Sequence, residues 1–71
     1  MSTKKYDTKE IVRRIFINQN PEKYLTEDNY KDVIKACQQM LKESPDSSNR
    51  AAWFYTGMGI TQYCEEQEWE L

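Results

Sequence analysis

The chain has 71 residues, 31% of them charged and 38% hydrophobic, with a formal net charge of −2 and an isoelectric point near 5.0. That length supports one domain, and a domain this size buries only ~60–65% of its unfolded surface, so a staple, a partner or dense packing has to help it. The net acidity argues against a dedicated nucleic-acid binder, no window approaches the ~20 consecutive apolar residues of a membrane span, and two cysteines without any histidine cannot make a four-ligand structural zinc site within one chain.

The first segment with helical period is "YDTKEIVRRIFIN". Asp7 is placed to be its N-cap, with Glu10 three residues on completing a capping-box pattern and Tyr6 facing Ile11 as a hydrophobic staple. Ile11, Val12, Ile15 and Phe16 then fall on one face, with Arg13 and Arg14 toward the other. The run "NQNP" stops the helix, because Pro21 disfavours a helical Asn20; Asn20 is also placed to cap a short turn with Pro21 first inside it.

The second segment, "LTEDNYKDVIKACQQMLKESP", is the best-formed amphipathic helix in the chain. Thr26 is its expected N-cap, followed by Glu27 and Asp28 at the positive end of the helix, and Leu25 and Tyr30 stand at staple positions. Tyr30, Val33, Ile34, Cys37, Met40 and Leu41 form one core-facing stripe. "ESPDSSN" is a loop by composition, offering Ser47, Ser48 and Asn49 as caps for a third helix.

From Asn49 to about Gln67 the chain again reads as helix, but without one clean apolar face. Trp53, Gly57, Ile60 and Cys64 make one stripe, Phe54, Met58 and Thr61 a second, and Tyr55, Gly59 and Tyr63 a third. A helix that is apolar all round is normally buried on most sides, and two other helices cannot cover all of this one. The segment is therefore expected to be both core and contact surface. Trp53 and Ile60 turn inward, and Phe54, Tyr55, Met58 and Tyr63 face a partner. Gly57 and Gly59 each cost ~0.8–1 kcal/mol relative to Ala in a helix interior. They mark either a close approach of another backbone or a break near Thr56.

Residues 29–60 resemble part of a tetratricopeptide repeat, taken in reversed, staggered order. "NYKDVIKACQQMLKESP" is similar to the second helix of such a repeat, with Tyr30, Val33, Ile34, Cys37, Leu41 and Pro45 at its spacing. "AWFYTGMGI" is similar to the first helix of a following repeat: Trp53 and Gly57 match, while Thr56 and Ile60 replace the usual Leu and Tyr. The likeness spans less than one full repeat, the loop after Pro45 is two residues longer than the family's, and residues 1–28 do not match. The resemblance implies a module that binds proteins or peptides, with its ligand-facing side on Ala51, Phe54, Met58, Thr61 and Gln62.

Catalytic chemistry has little to work with. No histidine exists to activate Cys37, Cys64 or any serine, "GMG" lacks the rest of a phosphate loop, and "TEDNYKD" has the acids of a calcium loop without its glycine and spaced glutamate. No catalytic residue, cofactor, metal or small-molecule substrate is expected. Nothing resembles a signal peptide, and both cysteines read as inert reduced thiols, which suits the cytoplasm.

Charge is unevenly spread. Residues 1–23 carry six basic and three acidic side chains, whereas residues 47–71 carry one and four. The acidic tail opposes the helix dipole. It is therefore solvated, paired internally with Arg13 and Arg14 across parallel first and third helices, or in contact with a basic partner through Glu65, Glu66 and an anchoring Trp69.

The sequence thus points to an all-α domain of three helices near 7–19, 26–43 and 49–67. The second and third form an antiparallel hairpin, and residues 1–5 and 68–71 are frayed. It is read as a small soluble interaction module, an adaptor, inhibitor or regulator of the kind phages and plasmids encode, binding a protein partner or a second copy of itself. The alternative is weak nucleic-acid binding by Lys4, Lys5, Lys9, Arg13, Arg14 and Lys23, or acidic mimicry that blocks a nucleic-acid-binding protein.

Overall fold

The computed structural model describes residues 7–71; Lys4, Lys5, the staple residue Tyr6 and the stretch 1–5 lie outside the described residues. The elements run α1 (Thr8–Asn18), a short 3-10 turn (Pro21–Lys23), α2 (Tyr30–Glu43) and α3 (Ser47–Glu66). The domain is all-α, with no strand among the described residues.

α1 begins after Asp7, as expected, but Asp7 makes no side-chain capping bond. Glu10 does not reach back to complete a capping box; its carboxylate accepts from Arg14, 2.9 Å away and one turn on. The helix ends in a left-handed residue, Gln19 (φ 53°), whose N–H donates to the Ile15 carbonyl. This is the single-bond αL termination. Gln19 is not a residue that adopts that conformation freely, and its side chain compensates: Nε2 donates to the Phe16 carbonyl at 2.8 Å and to the Thr56 hydroxyl of α3 at 3.3 Å.

The regular turns of α2 start at Tyr30, four residues later than expected, yet Thr26 performs its capping role one turn earlier. Its hydroxyl accepts from the N–H groups of Asp28 and Asn29, and Asn29 Oδ1 accepts from the Thr26 N–H. This reciprocal pair is a capping box with Asn in the usual Glu position. Leu25 and Tyr30, the staple positions, are both buried.

α3 starts at Ser47 rather than Asn49, so Ser47, Ser48 and Asn49 lie inside the helix and Asp46 stands at the N-cap. It runs unbroken through Gly57 and Gly59. A Cβ on Gly57 would meet Cys37 Sγ at 3.5 Å, ordinary contact, and one on Gly59 would meet nothing within 4 Å. Gly59→Ala therefore removes backbone entropy at no steric cost. It should stabilise the fold by ~0.5–1 kcal/mol, read as a higher denaturant midpoint with unchanged slope.

Pairings between helices fix the register. Phe16 stacks on Trp53 with ring centroids 4.1 Å apart, and Gln19 bonds Thr56, so α1 and α3 advance together and are parallel. Cys37 Sγ donates to the Trp53 carbonyl and Tyr30 stacks on Trp69, so α2 and α3 run in opposite senses. The result is an up-down-up bundle whose core holds Ile11, Val12 and Ile15 from α1, Tyr30, Val33 and Cys37 from α2, and Trp53, Ile60 and Cys64 from α3, with Leu25 from the connection before α2. Thr56 joins them as a buried polar group, satisfied by donating to the Ala52 carbonyl and accepting from Gln19.

That register rules out one of the three alternatives for the acidic tail, internal pairing of Arg13 and Arg14 with Glu65 and Glu66. Arg14 lies level with residue 51 of α3, and Glu65 is ~20 Å further along the axis at 1.5 Å per residue.

The chain also continues in order past α3. Glu68 is left-handed (φ 63°), its N–H donates to the Glu65 carbonyl, and the Trp69 N–H donates to the Cys64 carbonyl. These two bonds define a Schellman turn, and the apolar contact that accompanies such turns is present as Trp69 against Tyr63, edge-on at 5.7 Å. The Tyr30 hydroxyl donates to the Glu70 carbonyl at 2.6 Å. Where the sequence suggests a frayed end at 68–71, the structure has a terminal clasp.

Candidate functional site

α3 buries Trp53, Thr56, Ile60 and Cys64 and leaves Phe54, Tyr55 and Met58 in solvent, with 57%, 67% and 52% of their surfaces exposed. Tyr63, expected in the outward set, is half-buried against Trp69, whereas Trp53 and Ile60 turn inward and Phe54, Tyr55 and Met58 outward, as expected. The cause is geometric: with α1 and α2 occupying adjacent flanks of α3, residues one position on from Trp53 and two positions before Ile60 have no neighbour left.

Phe54 and Met58 form one wall of an open groove of about 580 Å3 between α2 and α3. Ile34, Gln38 and Leu41 of α2 form the other wall, and no α1 residue lines it. Thr61, Gln62 and Glu65 continue the α3 wall toward its C-terminus. Gln62 and Glu65 are exposed, while Thr61 is half-buried with its hydroxyl donating to the Gly57 carbonyl. The groove therefore combines an apolar centre with a polar end bearing one carboxylate.

The structure separates the expected site residues into three groups. Phe54, Met58, Thr61, Gln62 and Glu65 share the groove. Tyr55 and Glu66 are exposed outside it. Tyr63 and Trp69 are half-buried and are used inside the molecule: Trp69 stacks on Tyr30 with centroids 5.1 Å apart and meets Tyr63 edge-on. Neither of those two rings is free to anchor a partner in this conformation.

Helical spacing puts Ile34 and Leu41 in the central core stripe, whereas both are half-buried groove residues and the stripe narrows to Tyr30, Val33 and Cys37. Leu41→Ala accordingly loses less than a full core truncation. Spacing alone does not separate them: Ile34, Gln38 and Leu41 step by four and three, much as the core residues Tyr30, Val33 and Cys37 step by three and four.

Of the basic residues considered for nucleic acid, Lys9, Arg13 and Lys23 are exposed and Arg14 is engaged with Glu10. Among the described residues no cluster of potential metal ligands occurs, and no helix is long and apolar enough to cross a membrane.

Both thiols are free and buried. Burial pushes Cys37 up to about 11 from 9.0, and it raises Cys64 as well. Cys37 lines the floor of the groove, but its Sγ is committed to the Trp53 carbonyl. The neutral thiol is the form the fold favours; that preference is intact below pH 9.0 and is lost as pH rises toward about 11. A thiol-reactive probe at neutral pH should label the native protein slowly and the denatured protein at once. Rapid labelling of native protein would contradict this.

Comparison with protein-family models, curated proteins and solved structures finds no match for this chain.

Proposed function

We propose that the protein is a soluble, cytoplasmic, non-enzymatic interaction module that acts as an adaptor, inhibitor or regulator, and that its contact surface is the α2–α3 groove. The observation that carries this reading is the exposure of Phe54 and Met58 on the wall of an apolar groove in a 71-residue chain. Large apolar side chains grouped on one concave face usually mark an interaction site, and Phe and Met are among the residues interface cores favour. The groove's own polar groups, Gln38, Thr61, Gln62 and Glu65, suit orienting a bound chain better than breaking bonds. Four of the five positions that the tetratricopeptide likeness marks as ligand-facing line it, which agrees with the same reading.

The test pairs folding with binding. Phe54→Ala and Met58→Ala should each leave the melting temperature within a few degrees of wild type, on the order expected for exposed positions. They should also weaken capture of a binding protein by ~1–2 kcal/mol, about tenfold. If both variants melt as early as a core truncation, the exposed stripe is structural and the reading fails. Retention of random DNA at low salt that survives moderate salt and ignores both substitutions would favour the nucleic-acid alternative instead.

A further inference from the structure

Resting on that reading of the groove, we infer that its occupant is α3 of a second copy of this chain, laid antiparallel, so that two α2–α3 hairpins close on one another as a four-helix core. The spacing of the open seam supports a helix as the occupant. α2 presents Ile34, Gln38 and Leu41, and α3 presents Ala51, Phe54, Met58, Thr61 and Glu65, in steps of three and four. This is the heptad spacing by which helices mesh side by side, and an antiparallel hairpin is half of a four-helix bundle. α1 covers the opposite flank through Phe16 on Trp53 and Gln19 on Thr56, leaving this seam as the open one.

Charge selects the second copy and its direction. α3 has no acidic residue in its first turn and no basic residue in its last. Asp46 at the N-cap suits the positive end, but within the helix Arg50 stands near that end and Glu65 and Glu66 at the negative end, so these three charges add to the dipole instead of offsetting it. None of these three side chains has a partner among the described residues. A second α3 running the other way brings Arg50 and the positive end of one helix to Glu65, Glu66 and the negative end of its mate. Two-fold symmetry makes that match twice. A parallel copy would set like charges together at both ends.

The experiment is sedimentation of the full chain from roughly 1 μM to 1 mM, a range that spans moderate dimer affinities, at low and moderate salt. The expected result is a mass that rises from one chain to two. Met58→Glu, checked for retained helical circular dichroism, should raise the dissociation constant at least about 100-fold, as expected for a charge placed in an interface centre. Arg50→Glu alone, and Glu65→Lys with Glu66→Lys, should each weaken self-association about tenfold, and mixing these two variants should restore a dimer. A monomer at every concentration overturns the inference, as does a dimer indifferent to Met58→Glu or to Arg50→Glu. A monomer that still binds another protein through Phe54 and Met58 sinks self-association alone and leaves the interaction reading standing.

Discussion

Trp53→Ala should lower the melting temperature by ~15–30 °C or leave the chain unfolded at room temperature. Trp53 is only 6% exposed, its ring stacks on Phe16, and it is the point where all three helices meet: α1 through that stack, α2 through the Cys37 thiol on the Trp53 carbonyl. Truncating a buried aromatic costs ~3–5 kcal/mol, because the lost burial is compounded by the cavity left behind. A domain of this size has a total stability at the lower end of ~5–15 kcal/mol, so little remains. The neighbouring Phe54→Ala removes a side chain of similar bulk and should cost almost nothing. A Trp53→Ala melt within a few degrees of wild type would place the core elsewhere.

Trp69→Ala should destabilise the domain by ~2–3 kcal/mol, a large effect for a residue so near the C-terminus. Its ring covers Tyr30 and abuts Tyr63, and aromatic pairs contribute ~0.5–1.5 kcal/mol each beyond the area they bury. Removing it also takes away the apolar contact of the Schellman turn, leaving Glu68 in a left-handed conformation with less to hold it there. The measurement is a denaturant midpoint together with hydrogen exchange at the Glu68 and Trp69 amides, whose bonds to Glu65 and Cys64 should open. A midpoint unchanged within ~0.5 kcal/mol, the scatter of ordinary surface substitutions, would show the tail to be solvated.

Three helices, their order and the division of α3 into a buried and an exposed side are legible in the sequence. Each follows from local periodicity and from the shortage of neighbours for an all-round apolar helix. Thr26 is legible as a cap for the same reason, since its partners are within three residues. What the sequence hides is register. Nothing local says that Gln19 reaches Thr56, which is buried, or that Arg14 lies level with residue 51, far from Glu65. The parallel arrangement of α1 and α3 is legible, but a helix of 11 residues beside one of 20 can sit at several levels.

The C-terminal turn is hidden because its signal is usually a glycine, and here Glu68 and, in α1, Gln19 take the left-handed position. Trp69 in an acidic tail suggests an anchor for a partner, while its stacking partner, Tyr30, lies far earlier in the chain. The groove is half legible: exposed apolar residues reveal its α3 wall, while Ile34 and Leu41 merge with the core stripe because amphipathic helices do not announce where a stripe's edge meets solvent.

The terminal clasp also bears on the groove it does not touch. The α2–α3 hairpin is joined covalently at residues 44–46, and at its open end Tyr30 is bound by Trp69 and the Glu70 carbonyl. Ties at both ends oppose splaying of the hairpin that carries Leu41 and Phe54. On the proposed reading, a helix entering the groove would lose its own freedom but require little further ordering of this chain, a saving that favours affinity. If the groove binds as proposed, the clasp is a preorganising device, and loosening it at Trp69 should weaken association even though no groove residue has been changed.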